Sequence, residues 1–130
     1  MSNKKRIVLV DDDDDFVKSV KDLLEANHYE VLVARDGASG MALAIKEKFD
    51  LMILDVMMAT DIEGIEISRK IAEIPELKRM PVVMITGMRK AKNLPFSIEP
   101  DADWLPVRVV LEKPVQPDVL LMEIQRLMIS

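Results

Sequence analysis

Four short apolar runs punctuate this chain, and each leads to a polar residue able to handle phosphate or metal. Ile7–Val10 runs into Asp11 and Asp12, Leu51–Leu54 into Asp55, and Val82–Ile85 into Thr86. Val107–Leu111, broken only by Arg108, leads to Lys113. Amphipathic stretches separate the runs. Apolar runs alternating with helical patterns are the signature of βαβ units, and so of an α/β fold with a parallel sheet. In an open sheet of this kind, ligands bind in the crevice at the carboxyl ends of the strands. If the four runs are neighbouring parallel strands, three carboxylates, a hydroxyl and an ammonium converge on one spot. That set suits a divalent cation and a phosphoryl group.

The runs and the stretches between them predict the elements. A first strand covers residues 5–10, followed by a helix with Phe16, Val17, Val20, Leu23 and Leu24 on one face. Asn27-His28 breaks it. Tyr29–Val33 alternates and is rich in β-formers, so it reads as the second strand. Asp36-Gly37 reads as a turn. A second helix carries the apolar residues Met41, Leu43, Ala44 and Ile45 and ends near Phe49. Leu51–Leu54 is the third strand. A loop over Met58–Gly64 leads to a third helix with Ile65, Ile67, Ile71 and Ile74, closed by Pro75. Pro81–Ile85 and Val107–Leu111 are the last two strands. Gln116-Pro117-Asp118 opens a final helix, with Pro at its first position and Leu120, Leu121, Ile124, Leu127 and Met128 inward. Between the last two strands, Pro95, Pro100 and Pro106 argue against a full-length helix, because proline in a helix interior costs about 3 kcal/mol. An irregular or shortened fourth helix is expected there.

Composition narrows the function classes. A length of 130 residues, 49% of them hydrophobic, predicts one globular domain over 1–130. No apolar run approaches the roughly 20 residues that span a bilayer, so no membrane insertion is expected. The basic start, Lys4-Lys5-Arg6, precedes an apolar run too short for a signal peptide. There are no cysteines, which excludes disulfides and thiolate chemistry. These features together predict a cytoplasmic protein. A net charge of −5 argues against direct nucleic-acid binding, which needs a basic face. Ten methionines and 4% aromatics predict a methionine-rich core.

The strand-end residues suggest a chemistry. Mg²⁺ takes oxygen ligands and uses one or two carboxylates beside phosphate oxygens. Asp12 and Asp55 would supply those carboxylates directly, and Asp11 a third through water. Asp55 is the candidate nucleophile, because the other two acids lie together on strand 1 and suit the metal. A carboxylate attacks a phosphoryl dianion only when charge is neutralised, which the cation and Lys113 would do. The Thr86 hydroxyl can donate to a phosphoryl oxygen. Asp13 to Asp15 sit where a helix start favours acids and are read as turn or cap residues. His28, the lone histidine, is read as a surface or cap residue with no role.

Asp11-Asp12, Asp55, Thr86 and Lys113-Pro114 together resemble the receiver domain of two-component response regulators, across essentially the whole chain. The resemblance implies a flavodoxin-like, doubly wound, five-stranded parallel sheet in the order 2-1-3-4-5. It implies Mg²⁺-dependent transfer of a phosphoryl group from a sensor histidine kinase or phosphotransfer protein to Asp55, and a downstream protein target. The metal site would comprise Asp12, Asp55 and the backbone carbonyl of Met57, with Asp11 in outer-sphere support. Such a domain is a regulator that promotes only its own phosphorylation and dephosphorylation. Several positions depart from the family pattern. Ala59 follows Met58 where proline is usual, and Glu63-Gly64 falls one residue late. Gly87 follows the threonine, and Val110 stands where an aromatic usually lies. The stretch from Thr86 to Lys113, which contains Trp104, is a few residues long for the family.

Other readings use the same residues. A haloacid-dehalogenase-like phosphatase would take Asp11 as nucleophile and satisfy its Asp-x-Asp motif with Asp11-Asp12-Asp13. It lacks the further acidic pair, since only Asp118 and Glu123 follow Lys113. An EF-hand loop from Asp11 would put Phe16 where glycine is required and Asp22 where glutamate is expected. A receiver-fold module that binds partners without phosphorylation is the third alternative.

Overall fold

The computed structural model describes residues 4–55, 63–87, 100–101 and 106–128. Its strands are β1 (Arg6–Val10), β2 (Glu30–Ala34), β3 (Leu51–Asp55), β4 (Val82–Gly87) and β5 (Val109–Lys113). The helices among the described residues are α1 (Asp14–Ala26), α2 (Gly37–Lys46), α3 (Glu63–Glu73) and α4 (Pro117–Met128). The sheet is parallel throughout, in the order β2-β1-β3-β4-β5. Met58–Gly64 lies mostly outside the described residues, as does most of 88–106. The expectations for the loop and for an irregular or shortened helix between the last two strands fall there.

The central strands explain the unbroken apolar runs. Their successive side chains point to opposite faces, and both faces are covered, so every position must be apolar. Val8, Val10, Met52, Leu54, Val82 and Met84 join the core under α2 and α3, with Ala44, Ile65, Ile67 and Ile71. Ile7, Leu9, Leu51, Ile53, Val83 and Ile85 join the core under α1 and α4, with Val20, Leu24, Leu120 and Ile124. Fully burying one such side chain contributes about 1.5–3 kcal/mol. The edge strands β2 and β5 are less buried, and β2 does not keep the alternation expected from its sequence: Val31 and Ala34 are buried, on opposite faces, with Leu32 and Val33 half-buried between them. Met52 and Met84 are fully buried, and Met41, Met80 and Met128 pack at the core margins, as the methionine count suggested.

Two local expectations are corrected. Asp36-Gly37 is a helix start and not a turn: Asp36 is the N-cap of α2, its carboxylate accepting from Ser39 N at 2.7 Å. Ile45 is 60% exposed and faces solvent. The buried stripe of α2 is Gly37, Gly40 and Ala44, and Ile45 lies about 140° around the helix from Gly40. Gly40 faces β1 so closely that an added Cβ would lie 2.6 Å from Val10 Cγ2. The same helix ends at Lys46 rather than near Phe49. Arg6 of β1 holds the segment beyond it: its guanidinium donates to Glu47 Oε1 at 2.7 Å and to the Lys48 carbonyl at 2.8 Å, and lies 4.8 Å from the Phe49 ring.

Strand ends also differ from the periodicity. β4 runs through Thr86 to Gly87, and β5 is displaced to Val109–Lys113, leaving Val107 buried ahead of it. Pairing decides this. Val109 sits opposite Val83 and Lys113 opposite Gly87, so the ladder continues past the last apolar residue. His28 takes φ 71 at the exit of α1, an exposed cap position as expected.

Candidate functional site

The polar residues that follow the apolar runs gather at the carboxyl edge of the sheet. Asp55 is the last residue of β3, Thr86 the penultimate residue of β4 and Lys113 the last residue of β5. Asp11 directly follows β1, and its N–H donates to the Ala34 carbonyl at 3.0 Å, which extends the β1–β2 ladder and fixes its backbone. Sheet parity then aims the side chains. Asp11 follows Ile7 and Leu9, Asp55 follows Leu51 and Ile53, and Lys113 follows Leu111, all on the face covered by α1 and α4. Thr86 has the opposite parity, that of Val82 and Met84, and is buried.

Asp11 is 1% exposed and Asp55 5%. Asp11 Oδ1 accepts from Asp13 N at 2.9 Å. Asp11 Oδ2 is buried and lies 3.1 Å from Lys113 Nζ, an ion pair whose angles do not make a hydrogen bond. Lys113 Nζ is 3.8 Å from Asp55 Oδ2. Burial alone would lower the Lys113 pKa, but the charges of Asp11 and Asp55, the contact with Asp11 and the charge of Asp13 outweigh it. They hold the ammonium above its ordinary value of 10.5.

Asp11, Asp12 and Asp55 each offer a carboxylate oxygen, and these oxygens lie within 4.8 Å of one another. Among the described residues, the three carboxylates of this cluster face the Lys113 ammonium. A buried carboxylate oxygen without a hydrogen bond, in an all-oxygen donor set with surplus negative charge, fits a hard divalent cation. Asp12 is exposed and leaves one side of the cluster open to solvent. Met57, expected to contribute a carbonyl, lies outside the described residues.

Two residues near the ammonium were assigned other duties from sequence. Asp13 is the N-cap of α1, as expected, yet its second oxygen accepts from Lys113 Nζ at 3.5 Å. Phe16 packs in the core as expected, yet Lys113 Nζ lies 4.4 Å from its ring centroid, a cation–π contact. The only local signal was their place in the first turn of α1, beside the acidic pair. Their partner is 100 residues from Asp13, and nothing in the local pattern points to it. Asp14, also read as a helix-start acid, forms an ion pair with Arg35.

A doubly wound parallel sheet with an acidic cluster and a lysine at its carboxyl edge defines a receiver-type domain. The chain belongs to the response regulator receiver domain family, which matches it over residues 7–125. It is 33% identical over 127 residues to the response regulator receiver protein CpdR of Brucella abortus, covering 97% of this chain and 98% of CpdR. It is 37% identical over 83 residues to the response regulator PleD of Caulobacter vibrioides, but covers 64% of this chain and only 18% of PleD. The receiver domain protein (CheY-like) of Methanospirillum hungatei superposes with a TM-score of 0.78 at 29% identity, covering 97% of this chain and 94% of that one. The chain is therefore a regulatory receiver domain of phosphorelay signal transduction.

Proposed function

We propose that residues 1–130 form one receiver domain in which Asp55 accepts a phosphoryl group from a phosphohistidine of a sensor histidine kinase or phosphotransfer protein. The carrying observation is the environment of Asp55: a buried carboxylate at a strand end, grouped with Asp11 and Asp12 and 3.8 Å from the Lys113 ammonium. In the transfer, a bond forms between an Asp55 oxygen and phosphorus as the bond from phosphorus to imidazole nitrogen breaks. Lys113 pairs with the phosphoryl oxygens, and the Thr86 hydroxyl donates to one of them. Asp12 and Asp55 would hold Mg²⁺ with Asp11 behind them and the Met57 carbonyl as a further ligand. Bound there, the ion neutralises charge that would otherwise repel the phosphoryl group.

The phosphorylated domain then binds a downstream protein target. It acts on no other substrate. A cytoplasmic location accords with this role, and among the described residues no helix is long and apolar enough to cross a membrane.

Intact mass after incubation with acetyl phosphate and Mg²⁺ tests the reading. One added phosphoryl group is expected in the parent and none in Asp55→Asn. Equal labelling of both would overturn it. Labelling that is lost in Asp11→Asn but kept in Asp55→Asn would favour a phosphatase-like use of Asp11.

A further inference from the structure

The first turn of α1 grips the Lys113 ammonium about as closely as the site acids do. Nζ lies 3.1 Å from Asp11, 3.5 Å from Asp13 and 3.8 Å from Asp55. It also lies over the Phe16 ring. Asp13 divides its two oxygens between two duties. Oδ1 accepts from Phe16 N at 3.2 Å and caps the helix, while Oδ2 accepts from Nζ. The metal-type cluster of Asp11, Asp12 and Asp55 makes no use of the Asp13 charge. A phosphoryl group on Asp55 would bring more than one negative charge to the acid that is farthest from Nζ among the three. A Lys113 drawn onto that group would give up its contact with Asp13.

We infer that Asp13 is a positioning residue that holds Lys113 on the α1 side of the site and thereby slows phosphoryl uptake. The inference rests on Asp55 as phosphoacceptor. Asp13 acts on the site through Lys113, and its contact is broken when the phosphoryl group arrives. Asp13 is partly exposed, so solvent screens the pair and the effect on rate is modest.

Charge and cap can be separated. Asp13→Asn and Asp13→Ser keep an oxygen that accepts from Phe16 N but lose the charge, whereas Asp13→Glu keeps the charge and is a poor N-cap. The measurement is the rate constant for phosphorylation by acetyl phosphate at saturating Mg²⁺, followed by intact mass. The Asn and Ser variants should react about two- to fivefold faster than the parent, with Glu at the parent rate. Neutral variants that gain less than about twofold overturn the inference, as does a Glu variant accelerated equally, which would assign the effect to the cap. The two neutral variants guard against a folding defect in either. A labelled parent with unchanged variants overturns this inference alone; a parent that takes up no phosphoryl group overturns it together with the proposed function.

Discussion

Several acids in this protein perform two tasks, one for each carboxylate oxygen. Asp11 accepts a backbone N–H with one and faces Lys113 with the other. Asp13 caps α1 and holds the same lysine. Asp36 accepts from both the N–H and the hydroxyl of Ser39. Those two donors hold the Asp36 carboxyl below its ordinary value of 3.8, the Ser39 N–H contributing most. A depressed folded-state pKa contributes stability above the unfolded value, and that contribution is lost as pH falls through the folded value. The stability advantage of the parent over Asp36→Ala should therefore be full at about pH 6 and shrink below about pH 4. Urea denaturation across that range checks this, and an advantage that grows on acidification would contradict it.

At the scale of elements, α2 lies close against β1. Gly40 has no side chain, and its Cβ position is 2.6 Å from a methyl of Val10. Valine is stiff at χ1 and cannot swing that methyl away cheaply. Gly40→Ala would gain about 1 kcal/mol of helix propensity yet overpack the interface, which typically costs about 1–3 kcal/mol. A net loss is expected. Val10→Ala in the same chain should restore much of it, so the two changes should be clearly non-additive in a double-mutant cycle of urea midpoints. Gly40→Ala equal to or better than the parent would mean that α2 can shift without cost.

At the scale of the molecule, the sheet concentrates negative charge at one edge of a chain whose net charge is already −5. Asp11, Asp12 and Asp55 come from the ends of two adjacent strands, and Lys113 from the far edge strand reaches Asp11 and Asp55. Repulsion among the three acids should lower the stability of the metal-free protein. A cation that binds only the folded state adds stability by mass action, about 2.7 kcal/mol at one hundred times its Kd. Thermal melts should therefore rise by several degrees in millimolar Mg²⁺ for the parent and by much less for Asp12→Ala. The same rise in both proteins would remove Asp12 from the metal site. Val110, which stands where the family usually has an aromatic, is partly buried against the core under α2 and α3.

Much of this architecture was written in the local pattern. Apolar runs flanked by amphipathic stretches can be satisfied only by strands buried on both faces, and that requirement produced the α/β sheet with its helices on both sides. The site residues were legible for the same reason: Asp11, Asp12, Asp55, Thr86 and Lys113 stand where apolar periodicity stops. The resemblance then supplied the strand order that the runs alone left open. Tertiary contacts decided the rest. Register carried β5 two residues further and made Lys113 part of the strand. The close approach of Gly40 to Val10 turned Ile45 to solvent, and Arg6 ended α2 early. The grip of Asp13 and Phe16 on Lys113 joins residues about a hundred positions apart. Periodicity records which face of an element is apolar, over a few residues. It holds no information about which distant side chain will meet that face, because sheet order and register set that meeting.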